Sequence, residues 1–233
     1  MTVVLEAQGV RKVFRGGDGT PLEVLRSVDL RVERGESVAI VGESGAGKST
    51  LLHVLGALDA PTDGEIRLDG RPYSTIDETA RDALRGRAVG FVFQFHHLLK
   101  DFSALENVMM PLLIGGSTSP AARTRAAAML ERVGLAGRLE HRPTQLSGGE
   151  QQRCAVARAL VHEPSVLLAD EPSGNLDRAR SDALHDLLMS LVRELTMTMV
   201  VVTHNPVLAG RTDRVLQLQD GVLTTSVTAG AVA

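Results

Sequence analysis

The chain has 233 residues, 43% hydrophobic and 23% charged, the composition of an ordinary globular protein long enough to bury a large core. A formal net charge of −3 and a pI near 6.2 supply no bulk basicity for nucleic acid, and none is expected as a partner. A single cysteine, Cys154, rules out an intramolecular disulfide and a cysteine-built zinc site. No apolar run approaches the roughly 18 residues of a spanning helix, and no basic segment leading into an apolar one opens the chain. Membrane contact is therefore expected only through a partner.

The first forty residues are β-rich, with short strands expected at Val3 to Leu5, Val10 to Phe14 and Val28 to Val32, divided by Gly16-Gly17-Asp18-Gly19. Phe14 stands out in a chain with 3% aromatics and no tryptophan. Just ahead of a phosphate loop, its ring either stacks on an adenine base or fills a core position. Glu36 to Val41 is a buried strand by pattern. Gly42-Glu43-Ser44-Gly45-Ala46-Gly47-Lys48-Ser49-Thr50 follows and fits G-x-x-x-x-G-K-[ST], the phosphate-binding loop. Its glycines let successive N–H groups converge on phosphate oxygens, Lys48 brings a point charge, and the Ser49 hydroxyl can ligate Mg²⁺. Ser49 to Leu58 has helical spacing of leucines, so the phosphate sits at a helix N-terminus.

Asp63-Gly64 and Asp69-Gly70 bracket a short strand. Ala88 to Gln94 is a further buried strand, and a glutamine at its exit points toward the crevice where open α/β sheets bind ligands, unless it is simply solvated. From Phe95 to about Gln145 the pattern is helical: Leu105 to Leu113, bent or broken by Pro111, and an alanine-rich amphipathic helix over Ala121 to Val133. The adjacent His96 and His97 face apart, so no metal site is expected there. Ser147-Gly148-Gly149-Glu150 opens another helix as a capping box, and the Gly-Gly pair, unfavourable in a first turn, bares backbone that suits a phosphate.

Ser165 to Ala169 is an apolar strand ending in Asp170-Glu171, the Walker-B pattern: Asp170 holds Mg²⁺ through water and Glu171 polarises the attacking water. Two adjacent carboxylates after a buried strand are expensive without a cation or a reaction that uses them. Ala183 to Leu195 is an amphipathic helix, Thr198 to Val202 is a strand leading to His204, and Val215 to Thr224 is a closing hairpin. The tail from Ser226 is expected to fray.

The phosphate loop, Gln94, Leu-Ser-Gly-Gly-Glu, Asp170-Glu171, Ser-Gly-Asn-Leu-Asp and His204, in that order, resemble the ATP-binding cassette (ABC) ATPases along most of the chain. The resemblance implies an α/β fold: a P-loop NTPase (RecA-like) core over 1–94 and 160–225, with an N-terminal antiparallel β subdomain, an inserted α-helical subdomain over 95–159 carrying the signature, and a tail at 226–233. It implies Mg²⁺-ATP held between two copies paired head to tail, Gly42 to Thr50 of one facing Ser147 to Glu150 of the other. Lys48 and His204 would contact the γ-phosphate, Ser49, Gln94 and Asp170 attend the metal, Glu171 act on the water, Asp177 reach across the interface, and Phe14 stack on adenine.

Within the family, Gln94 to Ile114, Leu51 to Asp59 and His141-Arg142-Pro143 are similar to the ATPases of bacterial lipoprotein-releasing systems. The resemblance implies permease subunits docking near Phe95 to Leu99 and a place on the cytoplasmic face of the inner membrane. The nearest other readings are the ATPase of a macrolide or peptide efflux pump and that of a cell-division complex. Glu150 departs from the broad family's usual glutamine, as this branch often does, and Ser173 and Asn205 replace the usual threonine and aspartate while keeping hydrogen-bonding capacity.

Overall fold

A computed structural model describes residues 2–17 and 19–225. The expected tail at 226–233 and Asp18 of the first turn lie outside the described residues. The opening segment is one long hairpin rather than several short strands: β1 (Val3–Arg15) runs antiparallel to β2 (Pro21–Glu33) from Val3↔Glu33 to Arg15↔Pro21. Register shifts along the pair mark β-bulges. One of them spans Gly9, at φ +56°, with its N–H on Asp29 Oδ1 at 2.8 Å. On the far side of β1, β4 (Asp63–Leu68) pairs antiparallel and carries β5 (Arg71–Pro72).

β3 (Ser37–Val41), β6 (Val89–Val92), β7 (Val166–Asp170) and β8 (Thr198–Val202) are parallel, and β9 (Arg214–Gln219) joins β3 in parallel before turning back into β10 (Val222–Thr225). Among the described residues the sheet order is β5-β4-β1-β2-β10-β9-β3-β8-β7-β6. β3, β6, β7 and β8 are largely continuous apolar runs because both faces are covered. Their period of two divides the core. Ala39, Leu167, Ala169, Met199 and Val201 face one apolar cluster, and Val38, Ile40, Val166, Leu168, Val200 and Val202 face the other.

The second cluster takes in α1 (Lys48–Leu55), with Leu51, Leu52, Val54 and Leu55 inward, and part of α2 (Glu78–Ala88). The first holds α3 (Ala104–Ile114), α4 (Ser119–Arg132), α5 (Gly148–Leu160) and α6 (Arg178–Glu194). Pro111 lies within α3, which continues through it to Ile114. Ser103 and Glu106 form a capping box at its start, with bonds of 2.7 and 3.2 Å. The short α7 (Pro206–Ala209) is capped by Asn205. The exits of β3, β6, β7 and β8 lie side by side, and the site stands there.

Candidate nucleotide site

The loop after β3 is shaped by backbone that only glycine permits. Gly45 and Gly47 stand at φ +82° and +96°. A Cβ on Gly42 would lie 2.3 Å from the Leu218 carbonyl oxygen, so the loop presses against β9 without one. Gly47 caps α1 with no side-chain hydrogen bond, leaving the first amides of the helix to an anion. Lys48 Nζ donates to the carbonyls of Gly42 and Glu43, both at 2.9 Å, which curls the loop and leaves a third N–H for a phosphate oxygen.

This loop walls a cavity of about 520 Å³, lined by Val24, Gly42, Ser44, Gly45, Gly47, Lys48, Ser49, Thr50, Gln94, Asp170, Glu171 and His204. Asp170 ends β7. Burial pushes its carboxyl above the usual range, and a hydrogen bond with the Ser49 hydroxyl, together with the nearby His53 and Lys48, draws it back. A hydroxyl bonded to a carboxylate at the edge of a phosphate loop is a hard-oxygen pair that fits Mg²⁺. Glu171 takes a left-handed backbone, φ +44°, secured by its N–H on the Val202 carbonyl at 2.9 Å. Its side chain is 15% exposed and meets the exit of β8. Oε1 accepts from the His204 amide at 2.9 Å and lies 2.8 Å from His204 Nδ1, and Oε2 accepts from the Thr203 hydroxyl at 3.2 Å. The His204 ring is itself 72% exposed.

Gln94 lies beyond the end of β6. Its Nε2 donates to Asn175 Oδ1 at 3.3 Å, and Asn175 Nδ2 returns a bond to the Gln94 carbonyl at 2.9 Å. A Cβ on Gly174 would stand 2.9 Å from Gln94 Nε2, so the glycine admits this pairing.

The structure thus brings Lys48, Ser49, Thr50, Gln94, Asp170, Glu171 and His204 to one cavity. Glu43 and Ala46 belong to the loop but are not among its lining residues. Nor are Phe14, Ser147, Gly148, Gly149, Glu150 and Asp177. Phe14 is 39% exposed, with Lys12 Nζ 4.9 Å from its ring centroid. Ser147 and Glu150 make the capping box of α5, as their spacing predicts. The Ser147 hydroxyl hydrogen bond, above other causes, holds the Glu150 carboxyl down to about 2, and Arg138 Nε adds an ion pair at 3.1 Å. Gly148 is exposed, whereas Gly149 is buried beneath Arg180, whose Cδ is 3.6 Å from where its Cβ would be, so only part of the Gly-Gly backbone is bare. Asp177 caps α6 through the Arg180 amide at 2.9 Å.

Two contributors escaped the sequence reading. Val24 reaches the cavity from near the start of β2, an apolar strand residue with no local signal of a site. Thr203 holds Glu171, and it lies one residue before the histidine that drew attention.

Comparison with known proteins gives the family. The family model described as ABC transporter matches residues 25–174. The chain is 51% identical over 221 residues to the lipoprotein-releasing system ATP-binding protein LolD of Legionella pneumophila (strain Lens), covering 95% of this chain and 97% of that protein. It is 52% identical over 219 residues to LolD of Bordetella pertussis (strain Tohama I), covering 94% of each. Among solved structures it superposes with TM-score 0.88 and 36% identity on a dimeric post-hydrolysis state of the ATP-binding cassette MJ0796 bound to ADP and Pi, covering 98% of this chain and all of that one. A second dimeric MJ0796 structure gives TM-score 0.86 at 38% identity, covering 94% and 96%. The chain belongs to the ABC transporter family, as one of its ATP-hydrolysing cassettes.

Proposed function

We propose that this chain is the ATPase subunit of an inner-membrane complex that releases lipoproteins for transfer toward the outer membrane. The observation that carries the reading is likeness to LolD over nearly the full length of both chains. The chain acts at the cytoplasmic face, and no helix among the described residues is long and apolar enough to cross a membrane. Permease subunits dock near Phe95 to Leu99, where Phe95 is 63% exposed. Residues 1–94 and 160–225 serve as the nucleotide core and 95–159 as the helical unit that meets the partner.

ATP lies with its phosphates on the Gly42–Thr50 loop, Lys48 neutralising the β- and γ-oxygens and His204 reaching the γ-phosphate. Mg²⁺, held through Ser49, Asp170 and Gln94, would supply charge neutralisation of the leaving and transferred oxygens. Glu171, fixed by donors on the His204 and Thr203 side, orients the attacking water and accepts its proton as the bond to the γ-phosphorus forms and the bond from that phosphorus to the β–γ bridging oxygen breaks, with ADP as the leaving group. Phe14 stacks on the adenine. The remaining wall comes from a second copy, whose Ser147 to Glu150 close on the γ-phosphate and whose Asp177 crosses the interface; dimeric relatives support the pairing.

The test is Glu171→Gln. It keeps the fold and removes the proton acceptor, so hydrolysis is lost and saturating Mg²⁺-ATP yields a stable dimer by size-exclusion chromatography with light scattering. A variant that stays monomeric there refutes the two-copy site. Membrane proteins co-purifying with the same variant identify the complex.

A further inference from the structure

A histidine that takes no part in the cavity is buried behind it. His185, in the first half of α6, is 0% exposed. Its Nε2 lies 2.7 Å from the hydroxyl of Ser173, itself buried, and its Nδ1 is buried with no hydrogen-bond partner. Ser173 is the second residue after Glu171, inside the turn closed by the Gly174 amide on the Glu171 carbonyl at 2.9 Å. The Ser173 carbonyl in turn receives the Leu176 amide at 3.0 Å and the Ser181 hydroxyl at 3.4 Å. One turn therefore carries Glu171 at one end and, through Asn175, the Gln94 side chain at the other. The Ser173 hydroxyl in the middle of the turn is anchored to the His185 imidazole, while the Glu171 carboxylate at its end meets that of His204.

We infer that His185 is a positioning residue for Glu171, acting through Ser173 as a neutral ring that donates from Nε2–H to the serine hydroxyl. This rests on the reading of Glu171 as the residue that activates water. The tautomer follows from the orphan nitrogen. With the proton on Nε2, the buried Nδ1 is a bare lone pair, whereas the other tautomer or the cation would leave a buried N–H unpaired, the dearer defect. The charged groups around the ring are Asp182 and Asp186 of α6 and Arg211 beyond α7, and Arg211 is already paired with Asp186 at 2.5 Å. Burial, and then Arg211, hold the imidazole below its ordinary value against the pull of the two aspartates, so the ring is neutral at neutral pH. On the acid side, protonation puts a charge and an unpaired donor into that pocket, the ring withdraws from Ser173, and the turn that aims Glu171 loosens. The effect falls on kcat, because the ring acts through Ser173 on the turn that carries Glu171 and not through the Gly42–Thr50 loop.

The test uses the purified full-length chain, with ATP hydrolysis followed between about pH 5.5 and 8.5, a span that brackets the ordinary imidazole value. Ser173→Ala and His185→Leu each lower kcat about five- to tenfold at neutral pH with KM for ATP within about twofold. His185→Gln, whose amide N–H stands near the place of Nε2–H but does not titrate, restores turnover at pH 8 to within about twofold and moves the acid midpoint down by at least about half a unit. A residue that only fills space would give neither the split between kcat and KM nor the change in pH profile. Wild-type kcat in Ser173→Ala, or an unchanged acid limb in His185→Gln, overturns the inference; if His185→Leu does not fold, these two variants decide alone. Glu171→Gln measured alongside separates the two readings. If it hydrolyses at the wild-type rate, the assignment of Glu171 has failed and this one with it. If it is inactive while the His185 and Ser173 variants match the wild type, only the role of His185 is lost.

Discussion

Glu150 is committed to its own helix before any nucleotide is considered. One oxygen accepts from the Ser147 amide and hydroxyl at 2.8 and 2.7 Å, and the other meets Arg138. Its carboxyl, held down to about 2, is a folded-state value below the roughly 4.3 of an unfolded glutamate. A depressed value stabilises the fold above the unfolded pKa and loses that contribution as pH falls through the folded one. Glu150→Ala therefore lowers the urea midpoint at neutral pH, by an amount equivalent to about 1 kcal/mol for a lost cap at this half-exposed end. The gap to the wild type closes as pH falls from about 5 toward 2. A gap that is constant over that range would show that the charge of Glu150 contributes nothing. At this scale the sequence was readable wherever chemistry fixes a residue type: the capping box, the glycines of the phosphate loop, the Asp170-Glu171 pair. It was silent on Val24, because an apolar strand residue carries no mark of which cavity its hairpin will cover. It was equally silent on Arg180 over Gly149, since a side chain on α6 screens backbone on α5 only once both helices are packed.

Among the elements, α5 has a second duty besides presenting Ser147 to Glu150. Gln152, almost wholly buried, donates to the Phe93 carbonyl at 2.8 Å, and Arg158 donates to the carbonyls of His96 and His97, both at 2.8 Å. The segment leaving β6 toward the proposed docking region is thus tied to α5, while Asn107 of α3 ties down Leu99, Phe102 and Ser103. Arg158→Met keeps an unbranched apolar stem and removes both carbonyl bonds, and it should cost about 1.5–3 kcal/mol by denaturant unfolding. Hydrogen exchange should rise over residues 95–99 with β7 and β8 unchanged. Uniform acceleration over the whole chain would mean that Arg158 supports the core generally and is no tie. These bonds were illegible in sequence because they join side chains to backbone some sixty residues away. α2 was missed for a different reason: only Leu84 and Ala88 are buried on it, so no apolar stripe marks the helix. The long hairpin was read as shorter strands because bulges, one of them spanning Gly9, interrupt its alternation.

For the molecule as a whole, the cavity and the signature stand apart within one chain: Ser147 to Glu150 and Asp177 are absent from the lining that holds Lys48 and Glu171. The ordered motifs made this legible only through their family resemblance, since spacing in sequence does not say which copy completes a site. A two-copy site makes a quantitative demand. Lys48→Ala disables the phosphate loop and leaves the signature intact. Gly148→Asp does the reverse, and it should fold, because the added Cβ meets no atom nearer than 3.8 Å and a carboxylate suits a helix N-terminus. The same carboxylate repels a partner's γ-phosphate. Each variant alone should be at least about a hundredfold slower than the wild type, the scale of losing one main electrostatic contact in a reaction site. Mixed in equal amounts and allowed to exchange, they form hybrid dimers with one site disabled on both sides and one intact on both sides. Random pairing makes half the dimers hybrid, so hydrolysis returns to as much as about a quarter of the wild-type rate. A mixture no faster than its parts would place loop and signature in the same chain's site, or require both sites to fire together; the second outcome is told apart by whether the hybrid still dimerises on ATP. Recovery would fix the direction of pairing, because only a head-to-tail arrangement sets the intact loop of one variant against the intact signature of the other.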